Sequence, residues 1–368
     1  MRPHSTSASL AAEAETASHE LMLETLAQVA PGTQLRDGLE RILRGRTGGI
    51  VVLGTSKVVE TISTGGFPID VEFSATRLRE LAKLDGAVVL DRYASRILAA
   101  GVQLIPDPSI PTGETGTRHR TAERTAKQTG FPVISVSQSM QIVQLYVHDQ
   151  RHVLQHSERL LSHAAQALDT LERYKMRLDE VAETLTYLEV VDRATVADVI
   201  AVLQRQEMVR RISGEIREYI LELGVDGRLV TLQHEELVGS FAGTQENLLR
   251  DYLGEIPGHE SIETAMSNLA ALDGSDLIDV DRIAHAIGTA ASTEALDTTV
   301  RPRGFRVLAA MRRIPPVVVD RIVDRFPSFP ALLSARTEEL LEVEGVGGNR
   351  AKMVREGLDH LVAEVTDR

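Results

Sequence analysis

The sequence predicts three parts in order: an α/β domain with a mixed sheet, an all-α spine domain, and a C-terminal domain of short helices. Short apolar runs alternate with helical segments up to about residue 147, and after residue 150 the chain reads as helix with few glycines or prolines. A third type of sequence pattern begins near Pro302. We place these domains at 20–149, 150–300 and 301–368, after a disordered lead-in over 1–19.

The α/β domain begins with two helices over 20–45 that break at Pro31 and Gly32. The apolar run 49–54 then predicts a buried strand, and residues 74–84 predict a helix. Further β-rich runs alternate with helical segments up to residue 147. This alternation is typical of an α/β domain whose strands form a mixed sheet.

An acidic residue stands at the mouth of the next short apolar run. Asp85 and Gly86 precede residues 87–90, which predict a short buried strand. A carboxylate at a strand end beside a glycine can hold a divalent metal or a sugar hydroxyl. Asp-Gly before a strand is also a common turn, so both interpretations stay open at this point.

A loop rich in glycine and proline over 106–116 leads into a helix that ends at Gly130. The residues at the start of this helix are Thr117, Arg118, His119, Arg120 and Thr121. Unsatisfied N–H groups and the positive end of the helix dipole both favour an anion there. The pattern predicts a nucleoside triphosphate site, and the alternative is a solvated charged turn.

Taken together, Asp85-Gly86-Ala87 and Thr117-Arg118-His119-Arg120-Thr121 resemble the catalytic signature of diadenylate cyclases, and the resemblance covers essentially the whole chain. It implies that two ATP molecules meet head to tail between two facing cyclase domains and become cyclic di-AMP plus two pyrophosphates. It also implies a homo-oligomer, an octamer built from two tetrameric rings.

The resemblance assigns roles to individual residues. Asp85 would lie at the ribose 3′-hydroxyl and bind Mg²⁺ or Mn²⁺, and Gly86 would allow close approach. The phosphates would be held by Thr117, Arg118, His119, Arg120, Thr121 and Ser137. The backbone at Leu104 would contact and recognise adenine. Of these, Arg118, His119 and Arg120 would neutralise the charge that develops on pyrophosphate.

The amino-acid composition limits the possible reaction chemistry, the cellular compartment and the part of the chain that could bind DNA. The chain has no Cys and no serine in a Gly-x-Ser-x-Gly pattern, so a covalent intermediate is not expected. The absence of Cys suits a reducing cytoplasm, and no apolar stretch is long enough to span a membrane. Residues 301–368 hold 12 Lys and Arg against 10 Asp and Glu, a net charge of +2, which leaves −15 on residues 1–300 of a chain whose total is −13. Only the C-terminal part is therefore electrostatically suited to DNA.

A heptad pattern predicts the spine helix. The a positions are Val153, Leu160, Ala167, Tyr174, Val181 and Leu188, and the d positions are Ser157, Ala164, Leu171, Leu178 and Leu185. Such a stripe indicates either an internal bundle seam or a free coiled coil, and we favour the seam. His148, His152 and His156 would step along one helical face, where we favour solvation over metal binding because a His-Glu-x-x-His pattern is missing.

The last domain resembles a tandem helix-hairpin-helix DNA-binding domain. Its second hairpin supplies the candidate DNA contacts Gly345, Val346, Gly347, Gly348, Arg350 and Lys352. Glycines let the hairpin backbone approach phosphates, which carry little base information, so recognition of DNA shape is expected. The resemblance implies branched DNA such as Holliday junctions. The alternative is a helical hairpin that serves packing alone.

Three functions follow from these patterns. The first is a cytoplasmic diadenylate cyclase regulated by branched DNA. The second is an ATP-binding sensor of DNA structure without cyclase activity, and the third is an architectural DNA protein that ignores ATP.

Overall fold

The computed structural model describes residues 4–239, 241, 243–256, 261–311 and 313–366. The chain forms two compact units, of which the first comprises Met1–Gln166 and Ile216–Leu232 and the second Ala167–Glu215 and Gln233–Arg368. These two units do not correspond to the three domain ranges inferred from the sequence, and those ranges stay a prediction.

The first unit contains a mixed sheet of eight strands, as predicted. The strands are β1 (Gly49–Leu53), β2 (Ser63–Thr64), β3 (Phe67–Glu72), β4 (Ala87–Leu90), β5 (Arg96–Leu104), β6 (Val133–Ser137), β7 (Ile142–Val147) and β8 (Gln150–Val153). Their order is β2-β5-β4-β1-β6-β7-β8, with β3 also paired to β5. β1 and β4 are parallel, and every other pairing among these strands is antiparallel.

Helices cover both faces of this sheet. They are α1 (His4–Gln28), α2 (Gln34–Arg44), α3 (Lys57–Thr61), α4 (Ala75–Leu81) and α5 (Thr117–Thr129). One apolar core includes Met22, Leu39, Val51, Leu78 and Leu145 under α1, α2 and α4. A second includes Val52, Val59, Ala122, Ala126 and Tyr146 under α3 and α5. The sheet is therefore buried on both sides, which holds its strand ends in place.

Two expectations for this region need correction. Helix α1 begins at His4, so residues 4–19 are helical rather than the disordered lead-in that their composition suggested. The chain after residue 149 first adds β8 to the sheet, because residues 150–153 pair with β7, and the helix begins only at Ser157.

The three histidines do not share a helical face for the same reason. His148 lies in the β7–β8 turn with φ of 49°, His152 lies in β8, and His156 precedes the helix. His152 Nε2 is 2.9 Å from a carboxylate oxygen of Glu222, so this ring contacts a side chain of the protein rather than solvent alone.

Helices make up the rest of the described chain. They are α6 (Ser157–Val190), α7 (Val196–Leu223), α8 (Arg228–Val238), α9 (Thr244–Tyr252), α10 (Ile262–Ala271), α11 (Val280–Ala286), α12 (Thr293–Leu296), α13 (Phe305–Ala310), α14 (Pro316–Arg325), α15 (Phe329–Leu333), α16 (Thr337–Leu341) and α17 (Gly348–Thr366). The predicted spine is α6, a single helix of 34 residues. Its d positions Ala164, Leu171, Leu178 and Leu185 are buried, which fits an internal seam.

The backbones of β4 and β5 approach closely where β4 begins. Gly86 has φ of 127°, and a Cβ there would lie 2.6 Å from the carbonyl carbon of Gly101 and 2.8 Å from the nitrogen of Val102. These backbone atoms of Gly101 and Val102 cannot move aside as the tip of a flexible side chain can. Residue 86 must therefore be glycine, both for its dihedral angle and for space.

We expect Gly86→Ala to lower the free energy of unfolding by about 3 kcal/mol, because it adds left-handed strain and overlap with the backbone. Gly65→Ala is the matched control, since Gly65 has φ of 63° but open space around its Cβ position. The control should cost about 1 kcal/mol. Urea denaturation measures both, and equal losses in the two variants would contradict the close approach.

Candidate active site

The parallel pairing of β1 and β4 gathers strand ends at one edge of the sheet. Ile50 lies opposite Ala87, so both strands begin at this edge. β5 and β6 run antiparallel to them and end there, with Val102 opposite Ala87 and Val136 opposite Gly49. The predicted site residues that flank these strand ends are Asp85, Gly86, Leu104 and Ser137.

Helix α5 begins at the same edge. A Cβ added at Gly48, just before β1, would overlap the Arg118 guanidinium and lie 3.0 Å from the Val136 carbonyl oxygen. Arg118 therefore lies across the start of β1, and the glycine makes room for it. Thr117 and Arg120 are exposed beside it, and Thr121 is half-buried.

The start of α5 leaves its backbone donors free for an anion. Gly116 is the N-cap and provides no side-chain cap. The N–H of Arg120 donates to the Gly116 carbonyl at 2.9 Å, so the helical bonds begin there. Unsatisfied N–H groups at the preceding positions then favour a negatively charged ligand.

The loop before α5 is held against that helix by side chains. The Asp107 N–H donates to Gln128 Oε1 at 2.8 Å, and Arg124 Nε donates to the Ile110 carbonyl at 2.8 Å. The Thr112 hydroxyl bonds the Glu123 carboxylate. Since the loop is anchored along the length of α5, it presents the helix start in a fixed position.

A chain of hydrogen bonds positions His119 from the interior. Arg151 Nη1 donates to Glu114 Oε1 at 2.9 Å, the Tyr146 hydroxyl donates to the same oxygen at 3.0 Å, and His119 Nδ1 is 3.1 Å from the Tyr146 hydroxyl. Tyr146 has one hydroxyl hydrogen, and the carboxylate is its stronger acceptor. His119 Nδ1 then donates to Tyr146, which leaves Nε2 without a hydrogen in the neutral ring.

The environment of His119 disfavours its charged form. The ring is 6% exposed, and burial lowers its pKa, an effect that the Glu114 carboxylate opposes and the Arg118 guanidinium reinforces. Burial and the bond to Glu114 also raise the pKa of Tyr146. The role of His119 in neutralising pyrophosphate stays a prediction, and it requires that ligand binding protonates Nε2.

The remaining predicted contacts differ in exposure. Ser137 is 4% exposed, and its hydroxyl accepts from the Met140 N–H at 3.3 Å in the turn after β6. Leu104 is half-buried against the core under α5 and pairs with Ser63. Asp85 is exposed. Within the described residues, no three His, Asp or Glu side chains cluster so that they could hold a metal, and the metal role of Asp85 stays a prediction.

The sequence reasoning missed several residues of this site. They are Gly48, Gly101, Glu114, Gln144, Tyr146 and Arg151. A polar Tyr146 inside the apolar run 142–147 was the available signal. Its partners lie on other elements and are identified only by the strand register.

The candidate DNA contacts lie in the turn between α16 and α17 and at the start of α17. Val346 is buried in the apolar core of the second unit, and Gly345 has φ of 89°. Gly347 and Gly348 are exposed at the start of α17 with open space around them. Val346 therefore anchors the turn while the glycine backbone faces outward.

The two basic residues near the start of α17 differ in their contacts. Arg350 Nη1 donates to the Gly345 carbonyl at 2.7 Å and so holds the turn closed. Lys352 is exposed, 3.6 Å from the Glu356 carboxylate. The net charge of +2 on 301–368 already includes the acids of the pairs Arg321–Glu344, Arg325–Glu342 and Arg355–Asp359, whereas Arg301 pairs with Asp192 outside this range.

Comparisons with known proteins match this chain over most of its length. Residues 36–151 match the family model described as DisA bacterial checkpoint controller nucleotide-binding, and residues 154–296 match the DisA bacterial checkpoint controller linker region. These matches define the class as a diadenylate cyclase domain followed by its helical linker.

Curated relatives named DNA integrity scanning protein DisA extend the match. The protein of Kineococcus radiotolerans is 56% identical over 93% of this chain and 95% of its own length. Those of Streptomyces coelicolor and Streptomyces avermitilis are 56% and 57% identical over 93% of this chain and 92% of theirs. The chain belongs to the DisA family, and it is a diadenylate cyclase, which condenses two ATP into cyclic di-AMP and two pyrophosphates. Among the described residues, no helix is long and apolar enough to cross a membrane.

The lowered pKa of His119 predicts a pH dependence of stability. The folded protein binds a proton at this ring less readily than the unfolded chain, whose pKa is near 6.5. The neutral His119 ring therefore makes its full contribution to the free energy of unfolding above about pH 6.5. This contribution falls as the pH is lowered below that value. We expect the His119 ring to titrate below pH 6.5 by NMR, and His119→Gln to flatten the pH dependence of stability below about pH 6.5.

His156→Gln is the control, because it removes an exposed imidazole from the same unit. Titration of His119 at or above pH 6.5 in the free protein would contradict the burial argument.

Proposed function

We propose that the sheet edge defined by the starts of β1, β4 and α5 holds one ATP. The observation that carries this proposal is the placement of Arg118 across Gly48, which puts a guanidinium and the open N-terminus of α5 where four strand ends meet. The phosphates would lie against Thr117, Arg118, Arg120, Thr121 and Ser137, and adenine would contact the backbone at Leu104.

Asp85 is proposed to bind Mg²⁺ or Mn²⁺ and to face the ribose 3′-hydroxyl. A divalent ion of this kind is often held by one carboxylate together with substrate phosphates. It supplies polarisation of the hydroxyl and neutralisation of phosphate charge. Gly86 and Gly101 let β4 and β5 pack without side chains, which leaves the Asp85 carboxylate at the rim of the site.

His119 would act through Nε2. In the free protein this atom carries no hydrogen, because Nδ1 donates to Tyr146. Bound phosphate favours the protonated ring, which would then donate from Nε2 to a phosphate oxygen. Tyr146 and Glu114 would position the ring for this contact.

The reaction requires a second copy of the chain. One edge holds one ATP, whereas the product contains two adenylate units joined through two 3′-oxygens. Two cyclase domains would therefore face each other, with the 3′-hydroxyl beside each Asp85 aimed at the α-phosphate held by the other domain. We propose an octamer of two tetrameric rings, from family resemblance, and action in the cytoplasm, where ATP and DNA are both present.

The C-terminal turn is proposed to bind branched DNA, such as Holliday junctions, as a helix-hairpin-helix element. The exposed backbone of Gly347 and Gly348 at the start of α17 supports contacts with phosphate, and Lys352 adds a positive charge. Such binding would lower cyclic di-AMP synthesis. Family membership favours this regulated cyclase over a sensor without activity and over an architectural protein.

Asp85→Asn should retain ATP binding and lower cyclic di-AMP synthesis by roughly two to three orders of magnitude, because the amide is a poorer metal ligand and base. Asp169→Asn on α6, an exposed aspartate outside the site, should leave synthesis unchanged. Chromatography of nucleotides after incubation with ATP and Mg²⁺ or Mn²⁺ measures both. Near wild-type synthesis by Asp85→Asn would remove this residue from the proposed role.

DNA binding is best tested by point variants rather than by removal of 301–368. The Asp251 carboxylate accepts from the N–H groups of Gly304, Phe305 and Arg306 at 2.6, 2.7 and 2.8 Å. Truncation would leave this buried acid without partners. We expect Lys352→Ala to weaken binding of a four-way junction and to reduce the slope of log affinity against log salt by about 1, whereas Lys57→Ala should change neither. An unchanged slope for Lys352→Ala would exclude this phosphate contact.

A further inference from the structure

The turn that ends α2 holds an arginine where glycine is preferred. The Arg46 N–H donates to the Leu43 carbonyl at 2.9 Å, and the Thr47 N–H donates to the Ile42 carbonyl at 3.2 Å. This is the Schellman pattern, in which the residue after the C-cap takes the left-handed conformation. Arg46 occupies that position with φ of 50°, and Gly45 stands one residue earlier.

Arg46 lines the same open cavity as Arg118, of about 540 Å³. The other lining residues are Gln138, Ser139 and Gln141, so no acidic residue borders it. Gln141 also has positive φ, at 54°. Two of the five lining residues thus hold a conformation that costs free energy, and such conformations concentrate at ligand sites.

The two guanidinium groups of this cavity lack acidic partners. Among the described residues, no carboxylate oxygen lies within 4.0 Å of Arg46 or Arg118. By contrast, Arg36, Arg41 and Arg44 on α2 all form ion pairs. In a chain with a net charge of −13, two adjacent cations without carboxylates define a site for a multiply charged anion.

We propose that Arg46 is a further guanidinium ligand of the ATP polyphosphate, which with Arg118 holds the β- and γ-phosphates and stabilises pyrophosphate as it leaves. This inference rests on the proposed site at the sheet edge. In the reaction, a 3′-oxygen forms a bond to the α-phosphorus of the other ATP and its proton passes to Asp85. The bond from that phosphorus to the bridging oxygen breaks, and its electron pair stays on pyrophosphate. Arg46 therefore acts on the leaving group and not on the nucleophile.

The test compares Arg46→Gly with Arg44→Gln, which removes a neighbouring exposed guanidinium that is ion-paired on α2. Glycine suits the left-handed position, so Arg46→Gly should match or exceed the wild-type urea midpoint. Calorimetry with inorganic pyrophosphate should show affinity about tenfold lower or weaker in Arg46→Gly, with KM for ATP raised and kcat lowered. Arg46→Lys should recover part of the affinity, and Arg44→Gln should behave as wild type.

The outcomes separate this inference from the proposed site. Pyrophosphate binding that Arg118→Ala weakens and Arg46→Gly leaves intact would overturn the role of Arg46 alone. Pyrophosphate binding that neither variant weakens would place the polyphosphate elsewhere and overturn both. A lower urea midpoint in Arg46→Gly with unchanged pyrophosphate affinity would show a structural role and also overturn the inference.

Discussion

The parallel pairing of β1 with β4, within an otherwise antiparallel set of strands, is the constraint on which the site depends. It brings the starts of two strands and the ends of two others to one edge. Two glycines then complete the arrangement, because Gly86 lets β4 and β5 touch through their backbones and Gly48 admits the Arg118 guanidinium. A side chain at either glycine would displace the groups that meet at this edge.

The electrostatics of this sheet edge depends on positively charged groups that have no acidic partner. Arg36, Arg41, Arg96 and Arg151 of the first unit pair with carboxylates, whereas Arg118 and Arg46 face a cavity without acids. The N-terminus of α5 adds unsatisfied backbone donors. Burial lowers the pKa of His119, so the neutral ring is favoured in the free protein. Beside the C-terminal turn, by contrast, Lys352 lies 3.6 Å from the Glu356 carboxylate and Arg350 donates to a backbone carbonyl.

Local signals in the sequence predicted much of this structure. The end of α5 followed from Gly130, and β4 followed from a short apolar run after Asp85-Gly86. The polar strand β8 was mistaken for helix, because its residues carry no apolar alternation and are fixed by pairing with β7. The contacts of Tyr146 depend on strand register and on a loop folded against α5, which no local pattern encodes. Arg46 was not predicted as a site residue, because its dihedral angle and its cavity exist only in the folded chain.

One sheet edge is proposed to hold the nucleotide with its phosphates at α5 and its ribose at Asp85. A structure of the protein with 3′-deoxy-ATP and Mg²⁺ tests this directly, because the analogue lacks the attacking oxygen and cannot react. We predict phosphate oxygens within hydrogen-bonding distance of Arg118 and the first N–H groups of α5, with the 3′-carbon beside Asp85 of the same domain. A nucleotide bound away from Gly48 and Arg118, or with its phosphates directed away from α5, would contradict it.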